Sequence, residues 1–217
     1  MDERRTGVAH IPNHLSFSVF HHAAIFPKAL WPQKISLNEL LLVEGRKMSK
    51  SLGNVIPLAE AVRKFGSDAV RLFFAYAADS SSALDWREKD VEAIARRLDR
   101  FAKVVNDVMK KSKKAKSSLA DKWFVAKFYR NLVETDEFIK NNQFKQYAQK
   151  MFFETLGDVE HFMSRSKNFS TIRSILKDWI PALSPIMPHT AEEIWSKLGK
   201  GYVSLQSWPK VDARKID

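Results

Sequence analysis

The chain has no cysteine and little glycine or proline, and each shortage excludes a class of protein. Without cysteine there can be no disulfide, no thiolate metal site and no cysteine nucleophile. Seven Gly and eight Pro among 217 residues exclude a collagen-like or largely disordered chain. A chain without disulfides fits a reducing compartment, so we expect a cytoplasmic location.

Long hydrophobic runs are missing as well. The longest apolar run, Leu72–Ala78, is far shorter than the roughly 20 residues that a membrane-spanning helix needs. The segment Met1–Ile11 lacks an apolar stretch followed by a small-residue cleavage site, so no secretory signal is predicted. We therefore expect a soluble protein without a membrane partner.

Hydrophobic residues and positive charge are what the chain has in quantity. Hydrophobic residues make up 45% of it and include 15 Phe and 6 Trp, enough to form a real core. Lys and Arg number 36 against 25 Asp and Glu, which gives a formal net charge of +11. A charge of this size favours a polyanionic partner, with nucleic acid ahead of an acidic membrane surface.

The spacing of apolar residues changes near Asp85, which predicts a boundary between segments 1–84 and 85–217. The first segment is predicted to be mixed α/β. Its elements are a buried helix over His14–Ile25, extended chain over Ile35–Val43, and short helices over Leu58–Phe65 and Ala69–Ala78.

The second segment is predicted to be helical throughout. Its first helix carries apolar residues at alternating spacings of three and four, at Val91, Ile94, Leu98, Phe101, Val105 and Val108. Three more stripes follow, at Val125, Phe128, Leu132 and Ile139, at Tyr147, Met151, Leu156, Val159 and Phe162, and at Ile172, Ile175, Trp179 and Leu183. A fifth helix should begin at Pro188. The predicted fold class is mainly α, with a short mixed α/β segment followed by an antiparallel helix bundle.

One stretch, Gly45–Asn54, combines the residue types that bind phosphate. Lys47 and Lys50 lie three apart among small hydroxyl residues, and glycines stand on both sides. Such a cationic loop suits phosphate oxygens, although a solvated basic turn has the same composition. The spacing of a Walker loop is absent, because Lys rather than Gly stands at position 50.

The spelling of this stretch narrows the interpretation. Lys47–Ser51 reproduces the KMSKS loop of class I aminoacyl-tRNA synthetases, and the match extends from Glu44 to Val55. Four further sequence segments resemble leucyl-tRNA synthetases of the archaeal and eukaryotic type, at Ile11–Leu15, Phe20–Pro27, Gly66–Arg71 and Asp85–Trp86. Met187–Trp195 and Trp208–Pro209 resemble the anticodon-binding helical domain of the leucine, isoleucine and valine group. The HIGH motif and the editing insertion are absent, so the chain resembles the C-terminal portion of such an enzyme.

The resemblance implies a reaction and its participants. Segment 1–84 would be the C-terminal part of the catalytic domain, and segment 85–217 an anticodon-binding-type bundle. Leucine would attack the α-phosphate of ATP, pyrophosphate would leave, and tRNA would be charged. Lys47 and Lys50 would be the catalytic cations. The loop residues Lys47, Met48, Ser49, Lys50 and Ser51 would bind ATP, with Mg²⁺ accompanying ATP rather than ligated by the protein.

Three histidines are candidates from the resemblance alone, since His14, His21 and His22 would line the leucine or adenylate pocket. Adjacent His21 and His22 point about 100° apart on a helix and cannot share one ligand. His10 and His14 are four apart, but Pro12 lies between them and no Glu follows His10, so no metal site is predicted. The alternative is that these are ordinary polar or packed side chains.

Clustered cations are the candidates for tRNA contact. The densest run holds Lys110, Lys111, Lys113, Lys114 and Lys116, and the preceding helix adds Arg96, Arg97, Arg100 and Lys103 on its outer face. Contacts from such residues to phosphates would be salt-dependent and blind to sequence. The run could equally be a solubilising loop, because like charges repel and favour a solvated chain.

Three functions therefore stay open. The chain could be part of a leucine–tRNA ligase that binds tRNA, expected to be leucine-specific, and activates leucine only with a missing N-terminal catalytic half, which would either be cut away or be a separate chain. It could be a stand-alone tRNA-binding module without catalysis, which fits Gly7-Val8-Ala9 where related enzymes have Gly-Lys-Asp. It could also be a structural bundle that binds a protein partner.

Overall fold

The computed structural model describes residues 3–77, 79, 82–111, 116–212 and 215–216, and the chain divides into two compact units. Met1–Val55 with Ala77–Arg87 form the first unit, and Ile56–Tyr76 with Glu88–Asp217 form the second. Helices dominate and the sheets are small, as the predicted mainly α class requires. Both compact units consist of two separate stretches of chain, so they do not test the predicted boundary between residues 84 and 85, which stays a prediction. No helix in the described ranges has both the length and the apolar character of a membrane span.

The first unit contains two small sheets. The first pairs β1 Glu3–Gly7 in parallel with β2 Lys34–Asn38. The second has β3 Leu41–Val43 at its centre, antiparallel to β4 Arg46–Lys47 and parallel to β5 Leu84–Trp86. The predicted extended chain is confirmed, and it is divided between β2 and β3.

The helix expected over His14–Ile25 begins later and is not buried. A π-helical turn covers Ile11–Leu15, and α1 Ser16–Ile25 follows it. None of the α1 residues is buried, and Phe20 is 73% exposed. The prediction of a buried helix is therefore wrong, because the described residues place no layer over α1.

The second unit is built from helices, most of which the sequence predicts. Their bounds are α2 Leu58–Phe65, α3 Ser67–Tyr76, α4 Glu88–Lys111, α5 Leu119–Lys140, α6 Phe144–Ala148, α7 Thr155–Arg165, α8 Phe169–Leu183 and α9 Pro188–Trp195. Pro188 occupies the first position of α9, where a missing N–H costs nothing, as predicted.

The core of the second unit lies where the apolar spacing places it. All six residues of the predicted α4 stripe are buried, and so are all four of the α8 stripe. In the α5 stripe Phe128 and Leu132 are buried, while Val125 and Ile139 are only half-buried. Trp179 in α8 meets the ring of Phe101 in α4 edge to face at 5.1 Å, which fixes these two helices against each other.

A π-helical turn interrupts the helix that carries the third stripe. The turn covers Gln149–Glu154 and joins α6 to α7. The stripe residues on both sides are buried, although Met151 and Leu156 are five residues apart instead of three or four. A π turn adds one residue to a helical turn, so it keeps both halves of the stripe facing the core.

Asp121 joins the beginnings of α5 and α8. In α5 it forms a capping box with Ser118, whose backbone N–H donates to the carboxylate at 2.8 Å. From the start of α8, Asn168 Nδ2 and Thr171 Oγ1 donate at 2.8 and 2.5 Å. Burial alone would raise the pKa of Asp121, but these hydrogen bonds outweigh burial and hold the pKa below its ordinary value.

Candidate functional site

The phosphate-binding candidate begins at a tight hairpin. Glu44 and Gly45 connect β3 to β4, and their φ angles of 50° and 73° lie in the left-handed region. Positive φ at both positions of a two-residue hairpin turn matches the right-handed twist of the strands. The hairpin places Lys47 at the end of β4, where the chain turns into the loop.

Asp85 ties the hairpin to β5. Its carboxylate accepts the Gly45 N–H at 2.8 Å and the Arg87 Nε–H at 2.8 Å. The Gly45 N–H, and after it the Arg87 guanidinium, lower the pKa of Asp85. The carboxylate therefore stays ionised at neutral pH and holds the turn that precedes the loop.

Asn54 closes the loop on itself. Its Oδ1 accepts the backbone N–H of Ser49 at 2.8 Å, and its Nδ2 donates to the carbonyl of Lys47 at 3.1 Å. One side chain thus bridges the residues on both sides of Met48. Because the carboxamide satisfies two backbone groups at once, it fixes the curved path of the loop backbone around Met48.

The two lysines of the loop extend into solvent. Lys47 and Lys50 are exposed, and neither ammonium group has a hydrogen bond or ion pair to any residue in the described ranges. Beside them the hydroxyls of Ser49 and Ser51 share a hydrogen bond of 2.8 Å, and Met48 is half-buried. Two unpartnered cations with neighbouring hydroxyls can hold phosphate oxygens by charge-assisted hydrogen bonds.

His21 and His22 each bond to the helix that carries them. His21 Nδ1 lies 2.6 Å from the carbonyl of Phe17, and His22 Nδ1 lies 2.7 Å from that of Ser18. Their Nε2 atoms are left for a further partner. His14 is elsewhere, with Nε2 at 2.5 Å from Arg4 Nη2. No contact that the structure describes joins His14 to the other two.

Three of the predicted tRNA-contacting cations form ion pairs within the helices. Arg96 pairs with Glu92 at 3.8 Å, and Lys111 pairs with Asp107 at 3.1 Å. Arg100 Nε donates to Glu160 in α7 and so links two helices. Each pair reduces the charge available to an outside anion.

The other predicted cations differ in what is described. Lys103, Lys110 and Lys116 are exposed and Arg97 is half-buried, all without an ion-pair partner among the described residues. Lys113 and Lys114 lie outside the residues that the structure describes. The long outer face of α4 therefore holds fewer available cations than its sequence indicates.

Asp68 joins two of the family-like segments, Gly66–Arg71 and Met187–Trp195, and the sequence analysis did not predict this contact. Asp68 is buried, with 5% of the residue exposed, and its carboxylate accepts the backbone N–H groups of His189 at 3.3 Å and Thr190 at 2.5 Å. His189 Nδ1 lies 3.1 Å from the same carboxylate. The Asp68 carboxylate therefore caps α9, whose own N-cap residue, Met187, provides no side-chain acceptor. That uncapped helix start is the signal that could have indicated a distant acid.

Comparison with known proteins finds two family matches along the chain. The family described as "tRNA synthetases class I (M)" matches residues 14–112, and the "Anticodon-binding domain of tRNA ligase" matches residues 121–217. The leucine–tRNA ligase of Staphylothermus marinus is 42% identical over 100% of this chain, and that of Archaeoglobus fulgidus is 37% identical over 100% of it.

The chain belongs to the class I leucyl-tRNA synthetase family. It corresponds to a C-terminal region of such a synthetase that includes an anticodon-binding domain. The chain spans 23% of the length of these two curated relatives. The crystal structure of the ternary complex of Agrobacterium radiobacter K84 agnB2 LeuRS with tRNA and LeuAMS supports the synthetase fold. It is similar at a TM-score of 0.84 and 20% identity, covering 100% of this chain and 29% of that one.

Proposed function

We propose that this chain is the part of a leucine–tRNA ligase that supplies the KMSKS loop to ATP and the anticodon-binding-type bundle to tRNA. The observation that carries the proposal is the loop itself, where Lys47 and Lys50 stand unpartnered beside a backbone curl that Asn54 holds. A solvated basic turn would not need this internal clamp. Leucine–tRNA ligase relatives that match the whole chain support the choice of amino acid.

The loop residues would act on the phosphates of ATP during leucine activation. As the leucine carboxylate attacks the α-phosphate and pyrophosphate leaves, negative charge builds on the phosphate oxygens. Lys47 and Lys50 would neutralise that charge, while the hydroxyls of Ser49 and Ser51 and the backbone at Met48 shape the cradle. Mg²⁺ would arrive with ATP, and no residue of this chain is assigned as its ligand.

The histidines would belong to the amino-acid side of the reaction. We propose that His14, His21 and His22 line the leucine or adenylate pocket through the ring nitrogens that their internal hydrogen bonds leave available. Two separate contacts, not one shared ligand, would come from His21 and His22, because the two rings bond to carbonyls of different residues.

Leucine activation would need residues beyond this chain. The chain covers 23% of the leucine–tRNA ligases that it matches, and no HIGH tetrapeptide occurs in it. We propose that the catalytic part with that motif completes the adenylate site, on a separate chain or on the same one. The exposed apolar residues of α1 are consistent with a surface that such a part covers. A cytoplasmic location belongs to the same proposal.

The helical unit would bind tRNA as a class I anticodon-binding-type bundle. The match of residues 121–217 to the anticodon-binding domain and the +11 net charge support this. The cations predicted from the sequence, at Arg96, Arg97, Arg100, Lys103, Lys110, Lys111, Lys113, Lys114 and Lys116, would contact phosphates and so determine affinity without reading bases.

Leucine-dependent exchange of pyrophosphate into ATP tests the catalytic part. The chain alone should show none. Mixed with the part of the Staphylothermus marinus ligase that this chain does not cover, it should support exchange. In the mixture Lys50→Ala should lower the rate roughly a hundredfold, the usual effect of losing one preorganised donor, and Lys89→Ala, an exposed cation in the first turn of α4, should not change it.

The outcomes separate the candidate functions. Exchange by the isolated chain that Lys50→Ala abolishes would contradict the need for a further catalytic part. A mixture that shows no exchange while the chain still binds tRNA would favour the non-catalytic tRNA-binding module.

A further inference from the structure

Four helix ends meet at one end of the bundle, and the contacts between them are direct. Arg173 Nη1, in the first turns of α8, donates to the carbonyl of Met109 in the last turn of α4 at 3.1 Å. The hydrogen bonds of Asp121 join the starts of α5 and α8. Phe124 of α5 stacks on Phe162 in the last turn of α7 at 4.6 Å. We call this region, residues 107–111, 116–123 and 162–174, the basic end.

The basic end has a large excess of positive charge. Its described cations are Lys110, Lys111 and Lys116, together with Lys122, Arg165, Lys167 and Arg173, which the sequence analysis did not assign. The basic end also contains two carboxylates, and neither is available to neutralise a further cation. Asp121 is 3% exposed and fully hydrogen-bonded, and Asp107 pairs with Lys111.

Protein stability does not account for all of these cations. Lys110 and Lys111 lie at the C-terminal end of α4, where the helix dipole favours positive charge. Lys122 and Arg173 instead lie in the first turns of α5 and α8, where the dipole disfavours positive charge, and Lys167 lies two residues before α8. Lys122, Lys167 and Arg165 have no ion-pair partner among the described residues. An outside anion would offset this cost.

An exposed aromatic ring stands within the same surface. Trp123 follows Lys122 in α5 and is 51% exposed, although the next residue, Phe124, is buried. The ammonium of Lys127, which pairs with Asp158, lies 5.4 Å from the centre of the Trp123 ring, so the cations available to phosphate beside the indole are those of the basic end. Cations around an exposed indole are the combination that binds RNA, because phosphates pair with the cations and an unpaired base stacks on the ring.

We propose that the basic end is the surface through which this chain contacts tRNA, with the cations on phosphates and Trp123 against an unpaired base. The inference rests on the proposed tRNA-binding function and assigns it to a place in the fold. It places the main contact at the joint end of α4, α5, α7 and α8, and leaves a smaller contribution to the outer face of α4, where Arg96 and Arg100 are already paired.

Titrations of the full chain with labelled tRNA at several salt concentrations test the charge of the basic end. The triple variant Lys122→Gln, Lys167→Gln and Arg173→Gln should lower the slope of log affinity against log salt by about one per residue, about three in total. Glutamine keeps a polar side chain with N–H donors at each position. A matched variant with Arg63→Gln, Lys89→Gln and Lys200→Gln, three exposed cations outside the basic end, should leave the slope within about one of wild type.

An RNA hairpin and a blunt RNA duplex of equal phosphate number test Trp123. Wild type should bind the hairpin several-fold more tightly, and Trp123→Ala should abolish that preference while leaving the salt slope unchanged, because a stacked ring releases no counterions. Thermal unfolding of each variant shows whether the fold is kept. If the triple variant unfolds, Lys122→Gln with Lys167→Gln, neither of which forms a described ion pair, replaces it, with an expected slope change of about two.

The results distinguish this inference from the proposed function. Wild type that does not bind tRNA at low salt overturns both. If wild type binds tRNA and the basic-end variant lowers the salt slope no more than the matched variant does, the inference alone is overturned. A hairpin preference that Trp123→Ala leaves intact does the same. Binding to phosphatidylserine vesicles but not to tRNA would identify the basic end as a membrane contact and overturn both.

Discussion

Helices α1 and α8 are both rich in apolar residues, yet they differ completely in burial. None of the ten residues of α1 is buried, whereas α8 buries eight, among them Leu176 and Trp179 at 0% exposure. Apolar composition favours burial but cannot provide the surface that covers a helix. The second unit supplies that surface for α8, whereas the described part of the first unit does not supply one for α1. An uncovered α1 is what the proposed further catalytic part of a leucine–tRNA ligase would require.

The largest expected effect comes from removing Trp179. Trp179→Ala should destabilise the second unit by about 3–5 kcal/mol, because it leaves a cavity between α8 and Phe101. Chemical denaturation followed by circular dichroism measures the loss. Trp179→Phe keeps one aromatic ring but removes the second ring together with the hydrogen bond from Nε1 to the Met151 carbonyl at 2.8 Å, so it should cost less, about 1–3 kcal/mol. Equal losses would mean that packing around the indole is not what stabilises α8.

Gly199 gives the next largest effect, for steric reasons. A Cβ at this position would lie 2.2 Å from a ring carbon of Trp195, so Gly199→Ala must displace the indole and should cost about 1–3 kcal/mol. Gly157→Ala is the matched control, since a Cβ there meets nothing within 4 Å and the residue lies in α7. That change should be neutral or stabilising by up to about 1 kcal/mol. Melting temperatures of the two variants would settle the difference, and a tolerated Gly199→Ala would contradict the packing of Trp195.

Asp121→Ala should cost about 1–2 kcal/mol at neutral pH, because it removes the capping box of α5 and the bonds to α8. The carboxyl has a lower pKa folded than unfolded. Its contribution is therefore complete above the unfolded value, about 4, and is lost as pH falls through the folded value. Unfolding measured from pH 7 to pH 2 should show wild type and variant converging in acid. A difference independent of pH would indicate a purely steric role.

The smallest effect belongs to α1 and is the sharpest test of the comparison. Phe20→Ser removes a 73% exposed ring, so the free energy of unfolding should change by less than about 0.5 kcal/mol and the apparent solubility should rise. The same substitution at Phe101, which is fully buried, is the control and should unfold the second unit. A large destabilisation by Phe20→Ser would show that α1 is covered within this chain.

How much of the fold the sequence predicts depends on how local the cause is. The burial of α4 follows from apolar residues spaced three and four along one helix, which is a local pattern. The π turn is also local, since the step of five from Met151 to Leu156 is visible in the sequence, although a regular helix was the simpler interpretation. Asp68 capping α9 joins positions more than a hundred residues apart, so the local sequence shows that α9 lacks its own cap but not which residue provides one.

The candidate site divides in the same way. The spelling of Lys47–Ser51 predicts a phosphate-binding loop, because residue type decides that chemistry, and phosphate binding stays a prediction. The clamp by Asn54 could not be predicted, since it depends on the path of the backbone between Lys47 and Ser49. The charge along α4 does not show which of its cations are paired, because Arg100 finds its partner, Glu160, on another helix.

The π turn at Gln149–Glu154 also has a consequence for the evolution of chain length. A helix with one π turn contains one residue more than an α-helix that presents the same faces. Deleting one residue inside this turn would restore regular α geometry and keep Met151 and Leu156 on the core side. Deletions in a buried helix normally rotate every later side chain away from its place. This short segment is therefore where a homologous chain can lose a residue from the middle of the bundle and still fold.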